Sequence, residues 1–310
     1  MSYDWLTLQC LIAGVQPAPR HVAITVNGTG SPGPFDWGFA GEVGHGLDDE
    51  LFFWQPVSYP AAVFPMGPSV VAGIDETVRL AQLYTPSALW SGKLVLAGYS
   101  QGAMVVDRVW RDEILNRAGR LHDRVDDVIA IVNFGDPMRA PGICNGNVQA
   151  GFPIPKPVDG VPSGGISGDD LTAEQTPPFL MSCNNDGDLY GSAPVGNQAG
   201  ADETLMFNIV QNFTVNNLLA IAEAVIPLLN PEADVTGIIA ELPALIEGLV
   251  GTAASLPADA TNGQIVGFLE ALLNGGMFVL SGFGPHGAYE PFVQPMVEFV
   301  MQAGRAARAA

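Results

Sequence analysis

The pentapeptide Gly98-Tyr99-Ser100-Gln101-Gly102 constrains this chain more than any other feature, because of what stands on either side of it. Residues 93–97 before it form a short apolar run that reads as a buried strand. From Gln101 to about Arg117, Val105, Val106, Val109, Trp110 and Ile114 make one apolar side of a predicted helix. Asp107, Arg108, Arg111 and Asp112 supply its polar side. A serine set between two glycines, directly after a strand and directly before a helix, occupies a turn too tight for flanking side chains. The strain lifts its hydroxyl clear of the sheet, and the helix N-terminus beneath favours developing negative charge. Ser100 is therefore a candidate nucleophile.

The rest of the chain repeats the strand–helix rhythm. Residues 21–26 are a β-branched run ending in the turn Asn27-Gly28-Thr29-Gly30, and residues 52–59 read as a weaker extended segment. A helix is expected after Pro68, with Ser69 as its N-cap and Val70, Val71, Ile74, Val78 and Ala81 at helical spacing. Residues 125–133 and 179–183 are further strands, and residues 291–307 a closing helix. This order predicts an α/β fold around a mainly parallel sheet. From about Asp202 to Gly275 the pattern turns helical throughout, in segments 215–229, 234–249 and 264–273 punctuated by prolines. The expected organisation is one catalytic core, residues 1–201 and 276–310, interrupted by a helical insertion at 202–275. A length of 310 residues is compatible with a single α/β domain.

A serine hydroxyl needs a base to become nucleophilic near neutral pH. The chain has four histidines. His21 opens the first strand and His122 sits among charges, so both read as structural; His45, in a glycine-rich loop, is a second candidate. His286, in Gly284-Pro285-His286-Gly287 ahead of the last helix, is the chosen base, because in hydrolases of this order the base comes last. The acid that orients it must fall between the two. Asp188 is preferred, with Asp136 and Asp186 as alternatives whose other reading is turn chemistry. The oxyanion would be received by the backbone N–H of Gln101 and by Thr29 in the turn after the first strand.

Composition narrows the partners. Twelve basic against 32 acidic residues give a net charge of −20, which disfavours nucleic acid and anionic membranes. The basic residues from Arg108 to Arg124 read as the polar face of a helix. No basic, long apolar leader begins the sequence, and no uncharged apolar stretch of about 18 residues occurs, so neither a signal peptide nor a transmembrane segment is expected. Cys10, Cys144 and Cys183 form no metal pattern and read as reduced thiols, with a Cys144–Cys183 bridge the one pairing left open. No cofactor or metal is expected.

Taken in order, Gly98-Tyr99-Ser100-Gln101-Gly102, Gly187-Asp188 and Pro285-His286 resemble the cutinase-like serine esterases. Tyr59-Pro60-Ala61, Pro65-Met66-Gly67 and Ser69-Val70 are similar, more specifically, to the lysin B branch encoded by mycobacteriophages. The resemblance implies a three-layer α/β-hydrolase sandwich. It also implies an esterase that cuts mycolic acids from arabinogalactan during host lysis, made in the host cytoplasm without a signal peptide and acting at the envelope after release. The implied partner is a lipid ester. Two other readings are a general cutinase or lipase, and a non-catalytic binding protein on the hydrolase fold. Cutinases bracket their acid with a disulfide, and here Tyr190 falls where the second cysteine would be, so Asp188 is expected to be held by other contacts. No cell-wall-binding segment is expected before the first strand.

Overall fold

Arg20–Val26 forms strand β1, buried at every position as in a strand covered on both faces, its polar Arg20, His21 and Thr25 included. The computed structural model describes residue 12 and residues 18–31, 38–62, 66–211 and 284–309. β1 pairs in parallel with β2 (Phe52–Pro56) on one side and with β3 (Trp90–Tyr99) on the other. β4 (Val128–Phe134) and β6 (Leu180–Cys183) extend the sheet in parallel beyond β3. The order is β2-β1-β3-β4-β6, and a separate two-stranded ribbon joins β5 (Ser163–Gly164) to β7 (Ala193–Pro194).

The strands alternate between two cores. Val22, Ile24, Leu94 and Leu96 meet α2 (Met66–Leu83) and α3 (Gln101–Arg108) through Val70, Val78, Val105 and Val106. On the opposite face, Ala23, Val95, Ala97 and Ala130 pack against α1 (Phe39–His45) and α6 (Glu290–Ala309) through Phe39, Val43, Phe292, Met296 and Val300. This is the expected three-layer sandwich, with small residues on the face where α1 comes close. The remaining described helices are α4 (Asn145–Ala150) and α5 (Gln198–Gln211). The chain leaves β1 toward β2 and then crosses to β3, so the strand order reverses between β1 and β3. In open parallel sheets the carboxyl ends of strands at such a reversal form a crevice, the usual place for a ligand.

Several expectations change. The α2 helix starts at Met66, so Ser69 lies inside it rather than capping it; its hydroxyl is buried and bonded elsewhere. The glycine-rich stretch around His45 is helix α1, not a loop. The helix after Ser100 turns π-helical at Val109–Leu115 and ends there. The basic run is therefore no single helix face. Arg111 bonds Asp112 and Asp169, Arg120 bonds Glu113 and Asp75, and Arg124 is buried, donating to Ala81 O and Gly92 O. Cys144 and Cys183 are buried free thiols. Helix α5 enters the region assigned to the insertion; the segments 215–229, 234–249 and 264–273, and Cys10, lie outside the described residues. Among the described residues no helix is long and apolar enough to cross a membrane.

Candidate active site

The carboxyl ends of β1, β3, β4 and β6 each deliver part of one cluster. After β3 the chain turns through Ser100 at φ 56° and ψ −119°, a backbone state that side-chain-bearing residues rarely adopt and that costs about 1–3 kcal/mol. Three bonds hold it there: Ser100 N–H donates to Phe134 O (2.9 Å) across the sheet, while Ser100 O accepts from Ala103 N (2.9 Å) and Met104 N (3.2 Å). The two flanking glycines are needed for close approach. A Cβ at Gly98 would sit 2.5 Å from Ala103 Cα, and one at Gly102 would sit 2.0 Å from Val26 O.

His286 lies on a 3₁₀ turn, Pro285–Gly287, that leads into α6. Its Nε2 is 2.8 Å from Ser100 Oγ, and its Nδ1 is 2.9 Å from Asp188 Oδ2 and 3.0 Å from Oδ1. With Nδ1 protonated toward the carboxylate, Nε2 is the acceptor that faces the serine hydroxyl. Two aromatic rings contact the imidazole: Tyr99 stacks at 5.3 Å and Tyr190 lies tilted against it at 4.5 Å, centroid to centroid. Tyr99 also donates its hydroxyl to His286 O at 3.0 Å. Beneath the ring, Gly135 passes after β4 with φ +53°.

Asp188 is 1% exposed, so its carboxylate must be satisfied within the protein. Oδ1 accepts from Tyr190 N (2.9 Å), and Oδ2 accepts from the Tyr289 hydroxyl. Hydrogen bonds fix the loop in place of a disulfide. Asn184 N donates to Asn147 Oδ1 (2.8 Å), Asn147 Nδ2 donates to Asn184 O (2.8 Å), and Asn184 Oδ1 accepts from Asp136 N (2.9 Å). Asn185 Nδ2 then donates to Pro285 O (2.7 Å) and Ala288 O (2.9 Å), tying the acid loop to the histidine turn.

The two rejected acids lie elsewhere. Asp186 is paired with Lys156 at 3.3 Å on the surface. Asp136 is fully buried, accepting from Ser182 Oγ (2.5 Å) and Met138 N (2.9 Å). Beside it, burial and the charge of Asp136 push the carboxyl of Asp107 well above the usual range. Asp107 Oδ1 accepts from Asn133 Nδ2 at 2.6 Å, and burial beside a second carboxyl favours the protonated form of Asp107. The other histidines are structural. His21 is bonded to Ser91 Oγ (2.6 Å) and Gly304 O (2.8 Å), His122 to Ile114 O (2.9 Å), and His45 packs edge-on against Trp54.

Thr29 and Gln101 face each other across the mouth. Gln101 Nε2 donates to Ala62 O (2.8 Å) and to Thr29 Oγ1 (3.4 Å), and its Oε1 accepts from Ser69 Oγ (2.9 Å). The side chain thus locks the turn after β1 to the start of α3, with the backbone N–H of Gln101 at the helix N-terminus. The β1 turn is held further by Tyr59 OH donating to Asn27 O (2.7 Å) and Gly30 N donating to Ala61 O (2.8 Å). Ser100, Thr29 and Gln101 open on a narrow cleft whose walls include Met66, Met104, Pro137 and Phe207, an apolar lining. Sequence reasoning missed Tyr99, Gly135, Ser69 and Tyr289 as parts of this site. Tyr99, directly before Ser100, and Tyr289, three residues after His286, stand beside motifs that the sequence does show.

A family model described as Cutinase matches residues 43–178. Endolysin B of Mycobacterium phage L5 is 38% identical over 122 residues, 39% of this chain and 47% of that protein. Endolysin B of Mycobacterium phage D29 is 35% identical over 170 residues, 54% of this chain and 64% of that protein. The matched stretches thus span about half to under two thirds of these relatives' own length. The crystal structure of lysin B from Mycobacteriophage D29 superposes with a TM-score of 0.56 at 26% identity, covering 85% of this chain and 99% of that one.

Proposed function

We propose that this chain, an α/β-hydrolase fold similar to the cutinases and to the mycobacteriophage lysin B proteins, is a serine esterase of that family. Its substrate is the ester joining mycolic acids to arabinogalactan in the mycobacterial envelope, and it acts there during phage lysis, after release from the host cytoplasm in which it is made. The observation that carries the chemistry is the continuous contact Asp188–His286–Ser100, with 2.9 Å and 2.8 Å links, built on a strained turn at a helix N-terminus. His286 Nε2 takes the serine proton as Oγ attacks the ester carbonyl, and Asp188 stabilises the imidazolium that forms. The tetrahedral oxyanion is received by the backbone N–H of Gln101 and by Thr29. His286 then protonates the departing sugar oxygen, releasing it as a hydroxyl, and a water activated by the same ring releases the fatty acid from Ser100. Met66, Met104 and Phe207 beside Ser100 are apolar, a character that favours the acyl side of the ester over the sugar.

The test is release of free mycolic acids from purified mycolyl-arabinogalactan by the wild type beside Ser100→Ala. Release by the wild type alone supports the reading. Hydrolysis of soluble long-chain esters without release from envelope material favours a general lipase. Inertness toward every ester favours a binding protein.

A further inference from the structure

We propose that Tyr289 is the positioning residue of the acid, holding Asp188 by a buried hydroxyl donor and thereby setting how readily His286 accepts the serine proton. The inference rests on Ser100, His286 and Asp188 being the reacting trio. A carboxylate has about four acceptor positions on its two oxygens. In Asp188 the histidine Nδ1 reaches both oxygens, Tyr190 N–H takes a further place on Oδ1, and Tyr289 O–H takes one on Oδ2. With Asp188 1% exposed, solvent adds little, so the tyrosine is the one side-chain donor besides the imidazole among these contacts.

The direction of the tyrosine proton is fixed rather than incidental. Tyr289 OH accepts from Asn185 N at 3.2 Å, which occupies a lone pair and leaves the O–H to point at Asp188. The ring is fully buried against Phe39 (5.6 Å), Phe134 (6.0 Å) and Phe292 (5.9 Å), a packing that holds its hydroxyl at Asp188. Burial first, and the nearby Asp188 charge second, push the phenol well above its ordinary range. It therefore remains a donor throughout the pH range in which an imidazole titrates. Because Tyr289 follows His286 by three residues, one short segment carries both the base and the clamp on its acid. Asn185 closes that segment onto the acid loop through Pro285 O and Ala288 O.

Removing the hydroxyl leaves Asp188 Oδ2 with the imidazole alone. The carboxylate then concentrates its charge on Nδ1–H and raises the proton affinity of His286. The base must be neutral to act, so the acid limb of kcat/KM moves to higher pH. Asn185 N–H also loses its acceptor, which loosens the loop bearing Asp188.

The experiment uses p-nitrophenyl ester hydrolysis by the full chain. Wild type is first compared with Ser100→Ala; loss of activity there establishes the trio independently of Tyr289, and equal rates would overturn the trio itself. Tyr289→Phe is then expected to lower plateau kcat by roughly tenfold with KM little changed, the size expected when one buried, charge-assisted hydrogen bond is lost. Its acid limb moves up by about half a pH unit. In an Asp188→Asn background the same substitution adds no further loss, because its effect runs through the missing carboxylate. An unmoved acid limb, or losses that simply add, would overturn the proposal. Incorporating 3-fluorotyrosine at position 289 alone provides a second variant that keeps the shape and strengthens the donor. It is expected to move the limb to lower pH, and a shift in the other direction would equally overturn the proposal.

Discussion

Gly135→Ala should damage activity far more than stability, and the structure supplies the size of both effects. Gly135 runs directly under the histidine ring. A Cβ there would lie 2.6 Å from His286 Cε1, 2.7 Å from Nδ1 and 3.1 Å from Asp188 Oδ2. Unstrained carbon contacts sit at about 3.5–4.0 Å, so the ring must move by roughly 1 Å. Tyr99 and Tyr190 already contact the ring, and a shift of that size disturbs the 2.8 Å link to Ser100. A misplacement of about 1 Å in a reacting group costs on the order of 100-fold in rate, or about 2.7 kcal/mol of barrier. Separately, the φ of +53° costs alanine about 1–2 kcal/mol of stability. Gly151→Ala isolates that second effect, since Gly151 has φ +76° and nothing within 4 Å of an added Cβ. The assay is p-nitrophenyl ester hydrolysis with a thermal melt on each variant. Both variants should lose similar stability, and only Gly135→Ala should lose about two orders of magnitude in kcat/KM. Wild-type kcat/KM in Gly135→Ala would refute the reasoning.

Two further outcomes follow from buried polar groups. Asp107 has its carboxyl raised well above the usual range in the folded chain, so its contribution to stability is full below the unfolded value and is lost as pH rises toward the folded one. Asp107→Asn can accept from Asn133 and donate to Asp136 without that proton. Thermal melts from pH 4 to pH 8 should show a flatter pH dependence and a higher midpoint at the alkaline end, with roughly 2–4 °C for each kcal/mol recovered. Ser69→Ala removes the hydroxyl that donates to Gln101 Oε1 and accepts from Ala62 N at 3.0 Å, so Gln101 loses one of its anchors. The expected result in steady-state kinetics is a roughly tenfold fall in kcat with KM little changed, less than the ~100-fold or more lost when an oxyanion donor is removed outright, because Gln101 keeps its bonds to Ala62 O and Thr29 Oγ1.

The parts of the site legible in the sequence are those whose signal is local. The elbow around Ser100 is a strand, a tight turn and a helix in succession, and the β1 run ends in its glycine turn within ten residues. His286 and Asp188 could be ordered along the chain by the logic of the chemistry, and the structure brings both to Ser100. What escaped depends on contacts far apart in sequence. Tyr289 meets Asp188 across 101 residues, and Gly135 earns its identity only from a ring that arrives 151 residues later in the numbering. Helix α1 was read as a loop because glycines weaken helices. Here Gly44 is dictated by Trp54, whose Nε1 would lie 2.3 Å from an added Cβ, and packing outweighs propensity. Ser69 misled for the opposite reason. It has the chemistry of a cap, but the helix already begins at Met66 and the hydroxyl serves Gln101 instead.

The central claim is that Ser100, activated by His286 and held by Asp188, forms an acyl-enzyme. The most direct measurement is covalent trapping with a long-chain fluorophosphonate, followed by peptide mass analysis of the wild type and of His286→Ala. The account predicts stoichiometric loss of ester hydrolysis in the wild type, with the adduct mass on the peptide containing Ser100 and labelling slowed by orders of magnitude in His286→Ala. An adduct on another residue, or full ester hydrolysis after Ser100 has been modified, would contradict it.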